Sequence, residues 1–189
     1  MADESDPGKV IEQALEIVRK TYQEINAMKN DITNIIQEKY PRYKLVDDYS
    51  YGPKYLYLKE YHFVYYQFQK EDEDSNIETY IGISIFFGTH DKDYQKIGSL
   101  PGPEIWFSKM QTTNDPDTIG RWDIPNCLTI DERKYFINSE LQIGGPVNEY
   151  YNNDEEAIVE WSGSFIGYPV VQLKDKSFIE TEILEKLNI

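Results

Sequence analysis

The residues best suited to hold a metal ion are few. The chain of 189 residues has two histidines, His62 and His90, and one cysteine, Cys127. A structural zinc site usually takes four such ligands, so these residues alone cannot form one. Residues 90–93 and 114–117 carry oxygen ligands for a harder cation, but neither segment has the glycine and glutamate spacing of a calcium-binding loop. Since aspartate, asparagine and proline are ordinary turn residues, no metal ligand is predicted.

Two side chains could act as nucleophiles, but neither lies in an activating sequence. Ser164 lies in Gly-Ser-Phe-Ile-Gly, which lacks the Gly-x-Ser-x-Gly arrangement that exposes a serine on a strained turn. Cys127 has no basic neighbour in sequence that would favour its thiolate. Neither of the two glycine-rich phosphate-binding motifs occurs. No cofactor is therefore predicted, and the sequence favours a protein that is not an enzyme.

One short pattern supports a different hypothesis. Acidic residues at 154–156 and Glu160 precede Gln172-Leu173-Lys174. This order resembles the acidic residues followed by Gln-x-Lys in some metal-dependent nucleases, in which carboxylates hold Mg²⁺ and the lysine stabilises developing charge. A metal-dependent hydrolase is therefore kept as the second alternative function.

The charge balance restricts the partners. Lysine and arginine number 19 and aspartate and glutamate 34, giving a net charge of -15. A field of this sign repels phosphate backbones and attracts cations, so direct nucleic-acid binding is not expected. The composition instead predicts a soluble protein whose partner has a basic surface.

The cellular compartment is predicted from the single cysteine and from the residues near the start of the sequence. One cysteine cannot form an intramolecular disulfide, and the opening Met-Ala-Asp-Glu-Ser-Asp has no basic or apolar leader character. Residues 79–90 form one of the longest stretches without charge, and this stretch is much shorter than the roughly 20 residues that span a bilayer. We expect a cytoplasmic protein with no membrane span.

The first third of the chain predicts a long helix. Residues 1–8 are expected to form a flexible N-terminus, followed by a single domain over residues 9–189. Apolar residues recur at helical, nearly heptad spacing from Val10 to Lys39, and Pro41 ends the pattern. Two alternatives follow: the helix breaks near Asn30 and Asp31 and packs on the protein's own sheet, or it stays unbroken and forms a homodimer with a second copy. Packing on the protein's own sheet is favoured.

The rest of the chain predicts an antiparallel sheet and a final helix. Residues 55–68 and 77–87 read as a hairpin, residues 105–110 as a strand, and residues 158–161 and 165–173 as a second hairpin around a turn at 162–164. Residues 128–142 fit either helix or strand. Ser177 and Glu180 match a capping box that would start a short C-terminal helix. The predicted fold class is α+β, mainly an antiparallel sheet packed against both helices.

Aromatic and acidic residues are the predicted binding groups. Tyrosine and tryptophan are enriched where proteins bind partners. If the long loops at 88–104 and 112–126 converge, they would form an aromatic patch, and a charged turn would add an acidic one. The candidate binding residues are Trp106, Arg121, Trp122, Tyr150 and Tyr151, together with Glu71, Asp72, Glu73 and Asp74.

These residues predict an acidic interaction or regulatory protein that binds a protein partner. One version of this hypothesis is an inhibitor. The first alternative is a small-ligand-binding cup. On the 77–87 strand, Gly82 and Ser84 share the face of Tyr80, and their small side chains leave room for a helix, a loop or a ligand.

Overall fold

The fold was analysed in a computed structural model that describes residues 6–50, 61–70, 78–89, 104–112, 142–151 and 161–189. Within these ranges a long helix α1 (Pro7–Lys39) precedes six strands: β1 (Tyr43–Ser50), β2 (Tyr61–Lys70), β3 (Glu78–Thr89), β4 (Glu104–Thr112), β5 (Asn148–Tyr151) and β6 (Trp161–Pro169). The strands form one sheet in the order β1-β2-β3-β4-β6-β5. Every pairing between these six strands is antiparallel. The predicted α+β class is confirmed.

Helix α1 is unbroken over 33 residues, so the predicted break near Asn30 and Asp31 is wrong. It begins earlier than expected, because the Asp6 side chain accepts a hydrogen bond from the Gly8 backbone N–H at 3.0 Å and Pro7 occupies the first helical turn. Pro7 and Gly8, assigned to the flexible N-terminus, therefore belong to the helix. At about 1.5 Å per residue α1 is roughly 50 Å long.

In the described ranges, α1 packs on the sheet through its second half. Ile25, Ile32, Ile35 and Ile36 are buried there. They share one apolar cluster with the isoleucines of β3 and with side chains of β4, β6 and the C-terminal helix. This cluster joins the second half of α1 and one face of the sheet in a single core. The predicted packing of the helix on the protein's own sheet is therefore observed for this half of α1.

The predicted first hairpin is confirmed by β2 and β3, whose register runs from Tyr61 opposite Thr89 to Gln69 opposite Tyr80. The second predicted hairpin is wrong. Residues 162–164 lie inside β6, where Gly163 pairs with Met110 of β4 on one side and with Tyr150 of β5 on the other. Pairing on both sides overrides the turn preference of a Ser-Gly-Ser segment.

The C-terminal helix consists of an α-helical turn, Lys176–Phe178, and a π-helix, Ile179–Leu184. The predicted capping box is wrong about the capping residue: Asp175 accepts a hydrogen bond from the Phe178 backbone N–H at 2.9 Å, two residues before Ser177. The predicted apolar stripe is confirmed, since Ile179, Ile183, Leu184 and Leu187 are buried and Phe178 is partly buried. The helix thereby completes the core beside α1.

Candidate functional site

The first half of α1 exposes apolar side chains. Residues 7–24 make up about 27 Å of helix before the first buried residue, Ile25. Five large apolar residues in this half are exposed by between 38% and 65%, namely Val10, Ile11, Leu15, Ile17 and Val18. Single exposed apolar residues are ordinary, but a continuous apolar patch on a surface indicates an interaction site. We call these five residues, together with the exposed Ala14, the α1 stripe.

The α1 stripe continues the buried face of the same helix. With 3.6 residues per turn, Val10, Ile11, Ile17 and Val18 point within about 60° of Ala14. Ile25 and Ile32, buried against the sheet, point within about 20° of the same direction. One apolar face therefore runs along the whole of α1, and within the described residues the sheet covers only its second half.

Polar residues occupy the opposite face of this half. The Arg19 guanidinium donates two hydrogen bonds to the Glu16 carboxylate at 2.8 and 2.6 Å, and Lys20 Nζ lies 3.5 Å from it. The hydrogen bonds from Arg19 lower the pKa of Glu16. These pairs are exposed, so they add little stability, but they separate a charged face from the α1 stripe. Glu12 and Gln23 lie on the same charged side.

A groove of about 660 Å³ lies where the stripe meets the sheet. Its apolar lining comes from Ile17, Ile25 and Met28 of α1, from Ile85 of β3, and from Leu173 after β6. Three basic and three acidic residues also line it, namely Lys20, Lys174, Lys176, Glu24, Asp31 and Asp175. The groove extends the apolar surface from the exposed helix into the body of the protein.

The structure places few of the residues predicted to bind. Trp106 is wholly buried on β4, and its Nε1–H donates a hydrogen bond to Glu104 Oε2 at 3.2 Å. Its indole lies against Gly167 of β6 and forms a tilted contact with Phe165, with ring centroids 5.6 Å apart. Trp106 is therefore a core residue in this structure, and the proposed aromatic patch would have to form without it.

The other predicted binding residues are not brought together by the described part of the chain. Tyr150 and Tyr151 lie on β5, opposite Gly163 and Ser162 of β6. Arg121, Trp122 and the acidic turn Glu71, Asp72, Glu73 and Asp74 lie outside the described residues, as do most of the two long loops. The aromatic and acidic patches stay predictions.

The face predicted to form a ligand cup is buried. Tyr80, Ser84, Trp106 and Ser108 are each exposed by 1% or less. The Ser108 hydroxyl donates a hydrogen bond to the Gly82 carbonyl at 3.3 Å, whereas Ser84 Oγ has no hydrogen-bond partner among the residues that the structure describes. A buried hydroxyl without a partner costs free energy, which makes Ser84 the unusual residue of this face. The ligand cup stays a prediction.

The metal-dependent hydrolase also stays a prediction. Its acidic residues at 154–156 and Glu160 lie outside the described residues, while Gln172 and Lys174 are exposed beyond β6. In the described ranges no three His, Cys, Asp or Glu side chains lie close enough to hold a metal ion. His90 and Cys127 lie outside those ranges.

Two further findings concern membrane spans and similarity to known proteins. Among the helices of the described segments, none is both long enough and apolar enough to cross a bilayer. Comparison of the chain with protein-family models, with curated proteins and with solved structures gave no match in any of the three.

The apolar spacing of α1 predicts the helix, and packing on the protein's own sheet is the favoured alternative, so the sequence does not predict the exposed α1 stripe. Residues 7–24 contain three acidic and three basic residues, in a chain with a net charge of -15. Net charge does not separate the two halves of α1, because residues 25–39 are also neutral, with two acidic and two basic residues. What distinguishes the first half is therefore the exposure of its apolar side chains, which only the structure shows.

Proposed function

We propose that this chain is a protein-interaction module, in which the α1 stripe is the contact surface and the acidic α+β body favours partners with basic surfaces. The observation that carries the proposal is the exposed α1 stripe, which lies in line with the buried face of the same helix. Most helical stability in proteins comes from packing of the apolar face, so a partner on the stripe would also stabilise the helix itself.

The size of the α1 stripe fits a reversible contact. Complete burial of an aliphatic side chain contributes roughly 1.5–3 kcal/mol, so five half-exposed side chains contribute about 5 kcal/mol. A partner with an equal apolar area doubles this to about 10 kcal/mol. Association itself costs at least about 4 kcal/mol, which leaves a dissociation constant in the micromolar range.

The acidic body provides the second part of the proposal. Residues other than 7–24 carry 16 basic and 31 acidic residues, by subtraction of three of each from the totals of 19 and 34. Such a field increases the rate of encounter with cationic proteins and opposes binding to nucleic acid. The regulatory or inhibitory role is part of this proposal.

The test is native mass spectrometry of the protein captured gently from its own cells. We expect the wild-type chain to carry additional protein mass, and Val18→Lys, in the centre of the apolar face, to lose it. Gln23→Lys introduces the same charge on the opposite side of α1 and should keep the additional mass. An unchanged complex in Val18→Lys, or a bare chain in the wild type, would overturn the proposal.

A further inference from the structure

The symmetry of the α1 stripe points to its partner, and this inference rests on the function proposed above. We propose that the stripe binds the same stripe of a second copy of this chain, with the two helices antiparallel and the two-fold axis passing at Ala14.

The sequence of the stripe is nearly a palindrome. Residues 10–18 read Val-Ile-Glu-Gln-Ala-Leu-Glu-Ile-Val, which is the same in both directions except at Gln13 and Leu15. In an antiparallel pair centred on Ala14, Val10 meets Val18 of the second copy and Ile11 meets its Ile17. A two-fold interface is self-complementary, so a surface that matches itself when reversed meets its requirement directly.

The centre of the palindrome suits a close helix crossing. Ala14 is exposed, and it is the small residue between larger apolar residues on either side. Helix axes pack about 8–10 Å apart depending on the side chains at the contact, and a small residue allows the shorter distance. The flanking valines and isoleucines can then pack on both sides of the crossing.

The lengths of the helix and the body also fit this alignment. When Ala14 faces its own copy, Pro7 of one helix lies opposite Thr21 of the other, because both pairs of numbers sum to 28. Thr21 lies one turn before Ile25, the first residue of α1 buried against the sheet. Each helix therefore ends where the body of the other copy begins.

Charge favours the antiparallel orientation over the parallel one. The paired segments, residues 7–24, are neutral, whereas the rest of each chain carries the whole charge of -15. Eleven residues separate Ala14 from Ile25, so the two bodies begin about 33 Å apart in the antiparallel pair. This distance is several times the roughly 8 Å over which charges are screened at physiological salt. A parallel pair would place both acidic bodies side by side.

The first measurement is sedimentation equilibrium of the purified full chain. A single chain has a mass of 22.3 kDa, and two chains have 44.6 kDa, twice that value. As protein concentration rises, we expect the average mass of the wild type and of Gln23→Lys to increase from that of one chain to that of two chains. Because a two-fold interface contains residue 18 of both copies, Val18→Lys places two lysines in it and should weaken association by about 100-fold. A wild type that stays a monomer at millimolar concentration would overturn self-pairing.

The second measurement determines orientation by cross-linking with a short bis-maleimide in a Cys127→Ser background. In an antiparallel pair only a residue near the axis meets its own copy. Ala14→Cys should therefore cross-link with itself, whereas Val10→Cys and Val18→Cys should cross-link only when the two variants are mixed. Self-cross-linking of Val10→Cys and of Val18→Cys, without the mixed product, would show a parallel pair and overturn the proposed orientation. Gln23→Cys is the matched control and should not react.

These outcomes separate the two proposals. If the purified chain is monomeric but Val18→Lys still removes a different protein from the captured complex, the α1 stripe is an interface and self-pairing is wrong. If Val18→Lys changes neither the purified chain nor the captured complex, both proposals are wrong. Circular dichroism is the folding control. If each variant has the helix content of the wild type when both are in the same association state, the substitution acts on binding and not on folding.

Discussion

Gly167→Ala should destabilise the sheet by forcing Trp106 out of its place. A Cβ atom at residue 167 would lie 2.4 Å from two atoms of the indole, Cε3 and Cζ3, whereas ordinary contacts lie at 3.4–4 Å. The ring would have to move by about 1 Å in a packed interior. It is wholly buried, so it has no free space to enter, and Phe165 lies against it.

The magnitude follows from two contributions. Overpacking of a core typically costs about 1–3 kcal/mol. Movement of the indole also strains its hydrogen bond to Glu104, and a typical hydrogen bond contributes about 0.5–1.5 kcal/mol. We expect a loss of about 3 kcal/mol in the free energy of unfolding, or a fall of roughly 6–12 °C in Tm for a chain of this size.

Urea unfolding followed by circular dichroism measures this loss. Gly8→Ala is the control, because its added Cβ would meet only the exposed Asp6 side chain, at 3.3 Å, and alanine favours helix. Trp106→Leu should cost less in the Gly167→Ala background than alone, since a smaller side chain relieves the clash. A change in Gly167→Ala of less than about 0.5 kcal/mol, or equal costs of Trp106→Leu in both backgrounds, would refute this reasoning.

Three further predictions concern single interactions. Asp175→Ala should reduce stability by about 1 kcal/mol in urea unfolding through loss of the cap on the Phe178 N–H, whereas Asp175→Asn should stay near the wild type. Asn148 is buried and bonds both the N–H and the carbonyl of Gln142, so Asn148→Ala should cost about 1–3 kcal/mol by the same assay, and an unchanged midpoint would contradict its role. Burial raises the pKa of Tyr43 to about 12 from its ordinary 10.0, so the folded state retains a proton that the unfolded state loses. Stability should therefore fall between pH 10 and pH 12 more in the wild type than in Tyr43→Phe, and equal slopes of unfolding free energy against pH would contradict this assignment.

Helix α1 shows how far periodicity predicts structure. The repeat of apolar residues from Val10 to Lys39 predicts both the helix and its end before Pro41, and the structure confirms both. It could not give the part that packs on the sheet, because the stripe has the same period whether the sheet or another protein covers it. Net charge does not distinguish the exposed half either, because residues 7–24 and residues 25–39 are both neutral.

Strand β6 shows where local preference fails. Ser162, Gly163 and Ser164 are ordinary turn residues, and their sequence alone predicts a hairpin. Strands β4 and β5 pair with the two edges of this segment, and those contacts come from residues far away in the chain. Trp106 depends on the same long-range pairing, since Gly167 provides the space for its ring. Sequence spacing contains no information on that juxtaposition.

The most direct test of the account is hydrogen exchange of residues 7–22 at low and high protein concentration. Exposed helix without a partner exchanges quickly, whereas helix in an interface is protected. If the α1 stripe pairs with a second copy, protection of these amides rises with concentration in the wild type and in Gln23→Lys, and it stays low in Val18→Lys. Exchange that is fast and equal in all three proteins at every concentration would contradict the account.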